Sequence, residues 1–281
     1  MPCLMKKTHC ISMMLLTHDP LVEGSSPTGP TNSPFYLHFS LIIMCYKLQM
    51  KTILSPIILS FFLSTSCWSL PTEYLAIYNA KLKQADGVLK TQLRKNGNTY
   101  SFELMTEPTG FWKVITKGSI IERSTFSIED NQLKTYDYEL IDTIRKKSRE
   151  SKSVFNWNNS MITGYYKDRE INIALEDNTL SRIILQLQIM HNQEHHVDST
   201  DYLILDKDTL KKITVFPQEF ITETSVPFGK FQTIKISHQS ENSERLNSLW
   251  LAPELNFIPI KISQSVKGKI SFEANLTQLK Y

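Results

Sequence analysis

Three of the four histidines beyond residue 69 fall in one short run, His191-Asn192-Gln193-Glu194-His195-His196. On a helix His191 and His195 share a face, the i and i+4 spacing at which two imidazoles can hold one metal ion, with His196 beside them. The competing reading is a polar helix end, where imidazoles suit the negative end of the helix dipole. His238 is the one other histidine in that part of the chain, and no further Cys/His motif completes a ligand set. The sequence therefore assigns no metal and no cofactor. The densest basic run is Arg145-Lys146-Lys147-Ser148-Arg149. Lipid headgroups or another anion would suit it; the plainer alternative is a solvated hairpin flank, which Glu150 already dilutes.

Aromatic residues supply the other candidates. Tyr138, Trp157, Trp250 and Phe257 lie in or beside alternating segments, so they line a ligand cavity or simply pack a core. Phe111 and Trp112 follow the turn-like Glu107-Pro108-Thr109-Gly110, which reads as an exposed aromatic tip or a lid. No catalytic signature accompanies them: there is no G-x-S-x-G elbow, no H-E-x-x-H, no phosphate loop and no dinucleotide fingerprint. The expectation is a non-enzymatic protein.

The elements that must position these residues are strands. Period-two alternation recurs in Tyr100–Leu104, Phe126–Ile128, Tyr136–Leu140, Ile171–Ile173, Ile234–Ile236, Ile258–Ile262 and Ile270–Phe272. Turn residues separate them, Asn96-Gly97-Asn98 most clearly, since Asn-Gly accepts positive φ. Pro227-Phe228-Gly229 is another tight turn. Leu180, Ile183, Ile184, Leu187 and Met190 follow helical spacing instead. That pattern predicts one substantial helix over 179–193, capped by Asp177 or Asn178. About ten strands with one apolar face and a single helix to cover it imply a mainly β domain. Its large antiparallel sheet must curl into a half-barrel or barrel with the helix as plug or flap. The interior is then either packed or a ligand cavity.

The organisation along the chain is uneven. Residues 1–49 lack an apolar period and hold three of the four cysteines. Codons for Gly24–Asn32 can match the T-arm of a bacterial tRNA gene, so 1–49 reads as a disordered upstream extension with the true start at Met50. Residues 50–69 have a signal-peptide layout: Met50-Lys51, an apolar Ile53–Leu63 and small residues ending at Ser69. That apolar core is shorter than a membrane span of about 20 residues. Lipidation at Cys67 is the competing reading, opposed by Ser64 where a lipobox carries an aliphatic residue. Cleavage after Ser69 leaves a single β-rich domain, 70–281, without cysteine and with 27 basic and 26 acidic residues. That balance argues against a general grip on nucleic acid. No membrane span is expected in the mature chain.

Four stretches carry a family resemblance: Leu70–Tyr78, Phe155-Asn156-Trp157, Val226–Ile236 and Leu249–Ile262. Together they resemble the proteobacterial domain of unknown function 3108 family over nearly all of 70–281. The resemblance implies an exported Gram-negative protein with a β-rich fold and transfers no catalytic residue. Asn156 is a departure, because the family often has Asp before that Trp. Two functions follow as expectations. One is a periplasmic protein that binds or carries a lipid or other apolar ligand in the curved sheet. The other is a packed envelope scaffold that meets a protein partner through Phe111-Trp112 and the basic run.

Overall fold

The computed structural model describes residues 70–281, except Thr72, Arg145, Lys146 and the side chains of Gln218 and Glu219. The proposed extension, signal peptide and Cys67 lie outside the described residues, as do Arg145 and Lys146. The first half of the chain gives β1 (Tyr74–Leu82), β2 (Ala85–Asn96), β3 (Thr99–Pro108), α1 (Gly110–Thr116), β4 (Ile120–Glu129) and β5 (Gln132–Asp142). It continues through β6 (Arg149–Asn156), β7 (Met161–Tyr166), β8 (Arg169–Ala174) and β9 (Thr179–Ser181). The second half gives α2 (Ile184–His195), β10 (Asp201–Asp206), β11 (Thr209–Val226), β12 (Gly229–Ser240) and β13 (Arg245–Ala252). It ends with a 3-10 turn (Pro253–Leu255), β14 (Ile258–Val266) and β15 (Lys269–Lys280).

All fifteen strands join one sheet, in the order β8-β7-β6-β5-β4-β3-β2-β1-β15-β14-β13-β12-β11-β10-β9. Every neighbouring pair except β9–β10 is antiparallel, and all of these except β1–β15 are consecutive in sequence, as short connections favour. The first and last strands meet in the middle, with Ala80 opposite Ala274. The alternation expected from sequence is kept along them: Tyr74, Ala76, Tyr78 and Ala80 of β1 point into the core while their neighbours do not. The Asn-Gly turn holds, with Asn96 opposite Thr99 and Gly97 at φ 60°.

Connectivity forces the sheet to curl. Its two edges, β8 and β9, are consecutive in sequence, and only residues 175–178 join them. Five residue steps from Ala174 to Thr179 span at most about 18 Å, so the edges of a fifteen-stranded sheet must come close. They do not close into a barrel. β9 pairs in parallel with β10, Leu180 beside Ile204, and tucks inside the curl against β4 and β5. Ser181 Oγ lies 2.9 Å from Ser124 Oγ, and the Ser181 amide donates to Thr135 Oγ1 at 3.2 Å. The expected mainly β, large antiparallel curved sheet with one substantial helix is therefore the fold, open rather than closed.

The helix begins later than the periodicity predicted. Thr179–Ser181 is strand, and α2 starts after Ile183, whose backbone is already helical and which makes no side-chain cap. Asp177 and Asn178 therefore do not cap it; the β9–β10 ladder takes their neighbours instead. α2 lies inside the curl, so its polar face is buried with its apolar one. Gln188 shows how this is tolerated: it accepts from the Leu133 amide at 2.8 Å and donates to Asn192 at 2.7 Å. The second helix, α1, replaces the turn expected around Phe111, and none of its residues is buried.

Candidate functional site

α2 fills only part of the interior. Between its N-terminal end and strands β10–β14 lies a cavity of about 330 Å³, at the small end of the about 300–1,000 Å³ typical of ligand pockets. Leu104, Ile204, Ile213, Leu249, Ile262 and Phe272 give it apolar walls. These come from six strands of the sheet and share its concave face. Leu82, directly opposite Phe272 in the β1–β15 ladder, continues that wall towards solvent at the end carrying the β1–β2 turn. Ser243 and Arg245 border the cavity at the same end.

Its floor is charged. Arg182 Nε lies 3.1 Å from Glu122 Oε2, and Tyr138 donates to the same oxygen at 2.7 Å. The Glu122 carboxylate holds the Arg182 guanidinium well above its usual range against the opposing effect of desolvation. Burial, and then the Glu122 charge, push the Tyr138 phenol well above its ordinary value. Protein atoms crowd Arg182, yet 46% of its side chain is accessible, because it faces the cavity. Asp206 is partly desolvated, but its hydrogen bond and charge pairing with Lys211, helped by Arg182, keep its carboxyl below the usual range. His238 also faces this space. Its Nδ1 has no hydrogen-bond partner among the described residues, and burial pushes the imidazole down to about 4.

Of the residues singled out from sequence, Tyr138 alone reaches this floor, through Glu122. Trp250 points outward, between the ammonium groups of Lys235 and Lys261 at 5.2 and 5.3 Å from its ring centroid. Trp157 donates to the Thr135 carbonyl at 2.8 Å near the β6–β7 turn. Phe257 follows the 3-10 turn at the sheet's opposite end and packs partly against the core. Phe111 is 73% exposed on α1. Trp112 anchors α1 by donating to the Gln84 carbonyl at 3.2 Å. Lys147 is fully solvated and 3.8 Å from Asp168, whereas Arg149 is mostly buried and bonds Asp142 at 3.0 Å. His191 is shut from solvent on α2, His195 is partly exposed, and His196 lies exposed at the helix C-cap in the left-handed conformation.

Glu122, Arg182, Asp206, Lys211 and His238 were not legible as a site. They sit on four strands and on the link between β9 and α2, and only Asp206 and Lys211, across the β10–β11 hairpin, are close in sequence. Glu194, by contrast, had a signal: His191-x-x-Glu194-His195 is a spacing used to hold zinc on a helix.

The family described as "Protein of unknown function (DUF3108)" matches residues 73–274. The chain belongs to that family. No curated protein matches it. Among solved structures it is similar to "Crystal Structure of Beta-barrel-like Protein of Domain of Unknown Function DUF1849 from Brucella abortus". That likeness has 12% identity, covers 74% of this chain and 97% of the other, and has a TM-score of 0.48. Membership of the DUF3108 family brings no activity with it, so function has to be argued from the cavity. Among the described residues no helix is long and apolar enough to cross a membrane.

Proposed function

We propose that this DUF3108 chain is an exported, non-enzymatic binding protein of the periplasm whose cavity takes a small amphiphile, an apolar chain ending in one anionic head. The observation that carries this reading is the division of the cavity into apolar walls and a charged floor and rim. Arg182 and Lys211 already have carboxylate partners in Glu122 and Asp206. Arg245, at the rim, has none within 4.0 Å among the described residues. One cation is thus left over for a carboxylate or phosphate head, beside the His238 ring that borders the same space. Leu82 gives an apolar approach to the wall. Residues 50–69 supply the export signal in this reading.

Native mass spectrometry on protein exported from Met50 and purified gently from periplasm tests the proposal, followed by solvent extraction of anything released. The expected result is a stoichiometric adduct with an acyl chain and an acidic head, lost on denaturation and reduced in Arg245→Glu. A clean apo mass that stays unchanged after incubation with fatty acids and phospholipids would overturn it.

A second reading rests on α1. Phe111, Val114 and Ile115 are exposed together on a helix that contributes nothing to the core, and exposed Lys113 and Lys117 flank them. Such a surface suits contact with another envelope component. Loss of a partner from pull-downs after Phe111→Ala with Val114→Ala supports it; an unchanged set of partners counts against it.

A further inference from the structure

The C-terminal end of α2 holds three side chains able to ligate a metal ion, two of them with buried atoms that the described residues leave without a partner. His191, Glu194 and His195 stand at i, i+3 and i+4, so one face of the helix carries all three. One potential ligand atom from each lies within 4.8 Å of the others. His191 is 3% exposed, and both its ring nitrogens lack a hydrogen-bond partner among the described residues. The Glu194 side chain is 2% exposed, and its Oε1 also lacks a partner.

Buried polar atoms without partners are rare in native structures, and each leaves a desolvation cost of about 1–3 kcal/mol. Here three such atoms belong to two neighbouring side chains. The remainder of the same helix contrasts with this. Gln188 and Asn192, one turn apart, are hydrogen-bonded to each other, and Asn192 also bonds the Tyr202 hydroxyl. Elsewhere on α2 Gln186 Nε2, beside the cavity, also lacks a partner among the described residues, but only His191 and Glu194 bring several such atoms together.

We propose that His191, Glu194 and His195 form a binding site for a divalent transition-metal ion of the zinc type. His195 supports the assignment through its own hydrogen bond. Its Nδ1 lies 2.9 Å from the His191 carbonyl oxygen, so Nδ1 carries the proton and donates, which leaves the Nε2 lone pair for a metal. The two imidazole rings are 4.0 Å apart between centroids. Metal bonds of about 2.0–2.2 Å require ligand atoms about 3.3 Å apart in a tetrahedron. Ligand atoms that now lie up to 4.8 Å apart must therefore approach one another on binding, by side-chain rotation on the one helix. The negative end of the helix dipole favours a cation here. His191 and Glu194 are covered from solvent without being deeply packed, and the partly exposed His195 gives an entry path. Three protein ligands leave a fourth position for water. No other His, Cys, Asp or Glu joins the group among the described residues.

The test is titration calorimetry of the chelator-stripped full chain with Zn²⁺, with Co²⁺ absorption as a second readout. The expected result is one ion per chain and a tetrahedral Co²⁺ spectrum. Glu194→Gln and His195→Ala are each expected to weaken binding by about tenfold or more. His191→Phe keeps the buried ring and removes the unpartnered nitrogens, so it should abolish binding while thermal stability is retained. His196→Ala should change nothing. Absence of stoichiometric binding by the folded wild-type chain would overturn the proposal. Binding to His191→Phe with wild-type affinity would overturn it too, because the ion would then sit elsewhere.

Discussion

The two ends of α2 meet the same curled sheet in different ways. At the N-terminal end the helix stops short of β10–β14, and a cavity remains whose charged groups are largely paired across strands. Further along, Leu187, Ile189 and Met190 are buried, and Gln188 and Asn192 lock onto β5 and β10. One helix cannot fill a fifteen-stranded curl. The sealed part supplies stability, and the unsealed part is where a ligand has room.

Several changes sharpen or break that contrast. The largest effect is expected in the sealed part: Leu187→Ala should cost about 2–5 kcal/mol in urea unfolding, because nothing can collapse into the void. Ile262→Ala at the cavity wall should cost less than about 2 kcal/mol, since that side chain already borders open space. Equal losses would mean that the cavity is closed in solution.

The next effect is acid sensitivity. His238 has a folded-state pKa of about 4 against an ordinary 6.5, set by burial. As pH falls through 6.5 the unfolded chain takes up a proton that the folded chain refuses. Stability is therefore complete above pH 6.5, declines between 6.5 and 4, and levels off below. The decline attributable to this residue is about 1–3 kcal/mol. Comparing the pH profile of wild type with that of His238→Gln isolates it, and superimposable profiles would show that the ring is solvated.

Glu122→Gln comes third. It leaves Arg182 without its counter-charge, but the guanidinium still reaches cavity solvent, so a loss of about 1–2 kcal/mol is expected in chemical denaturation. A loss well above that would place Arg182 in a dry interior. The smallest effect belongs to α1. Phe111→Ser with Val114→Ser should change stability by less than about 0.5 kcal/mol, because neither side chain is buried. A large shift in melting temperature would show that α1 packs against something in solution.

Strand alternation and the Asn-Gly hairpin were readable in the chain because they depend on neighbours two or three residues apart. So was the need for the sheet to curl, from a count of strands against one helix. Thr179–Ser181 misled because Leu180 fits a helical stripe and a buried strand equally well. Its pairing with Leu203–Leu205 and its contact with Ser124 are long-range. Phe111 was legible as exposed, because it follows a turn and lies outside any alternating run.

The sequence alone determined the class of fold, the family and the residues able to coordinate or bind, since residue type and short spacing carry that information. Tertiary structure alone decided that β9 tucks inside the curl, that α2 leaves a cavity at one end, and that Glu122 meets Arg182. The physical reason is that a cavity is a failure to fill space. Whether side chains from distant strands fill it depends on where the sheet's curvature places them, and no local pattern records that.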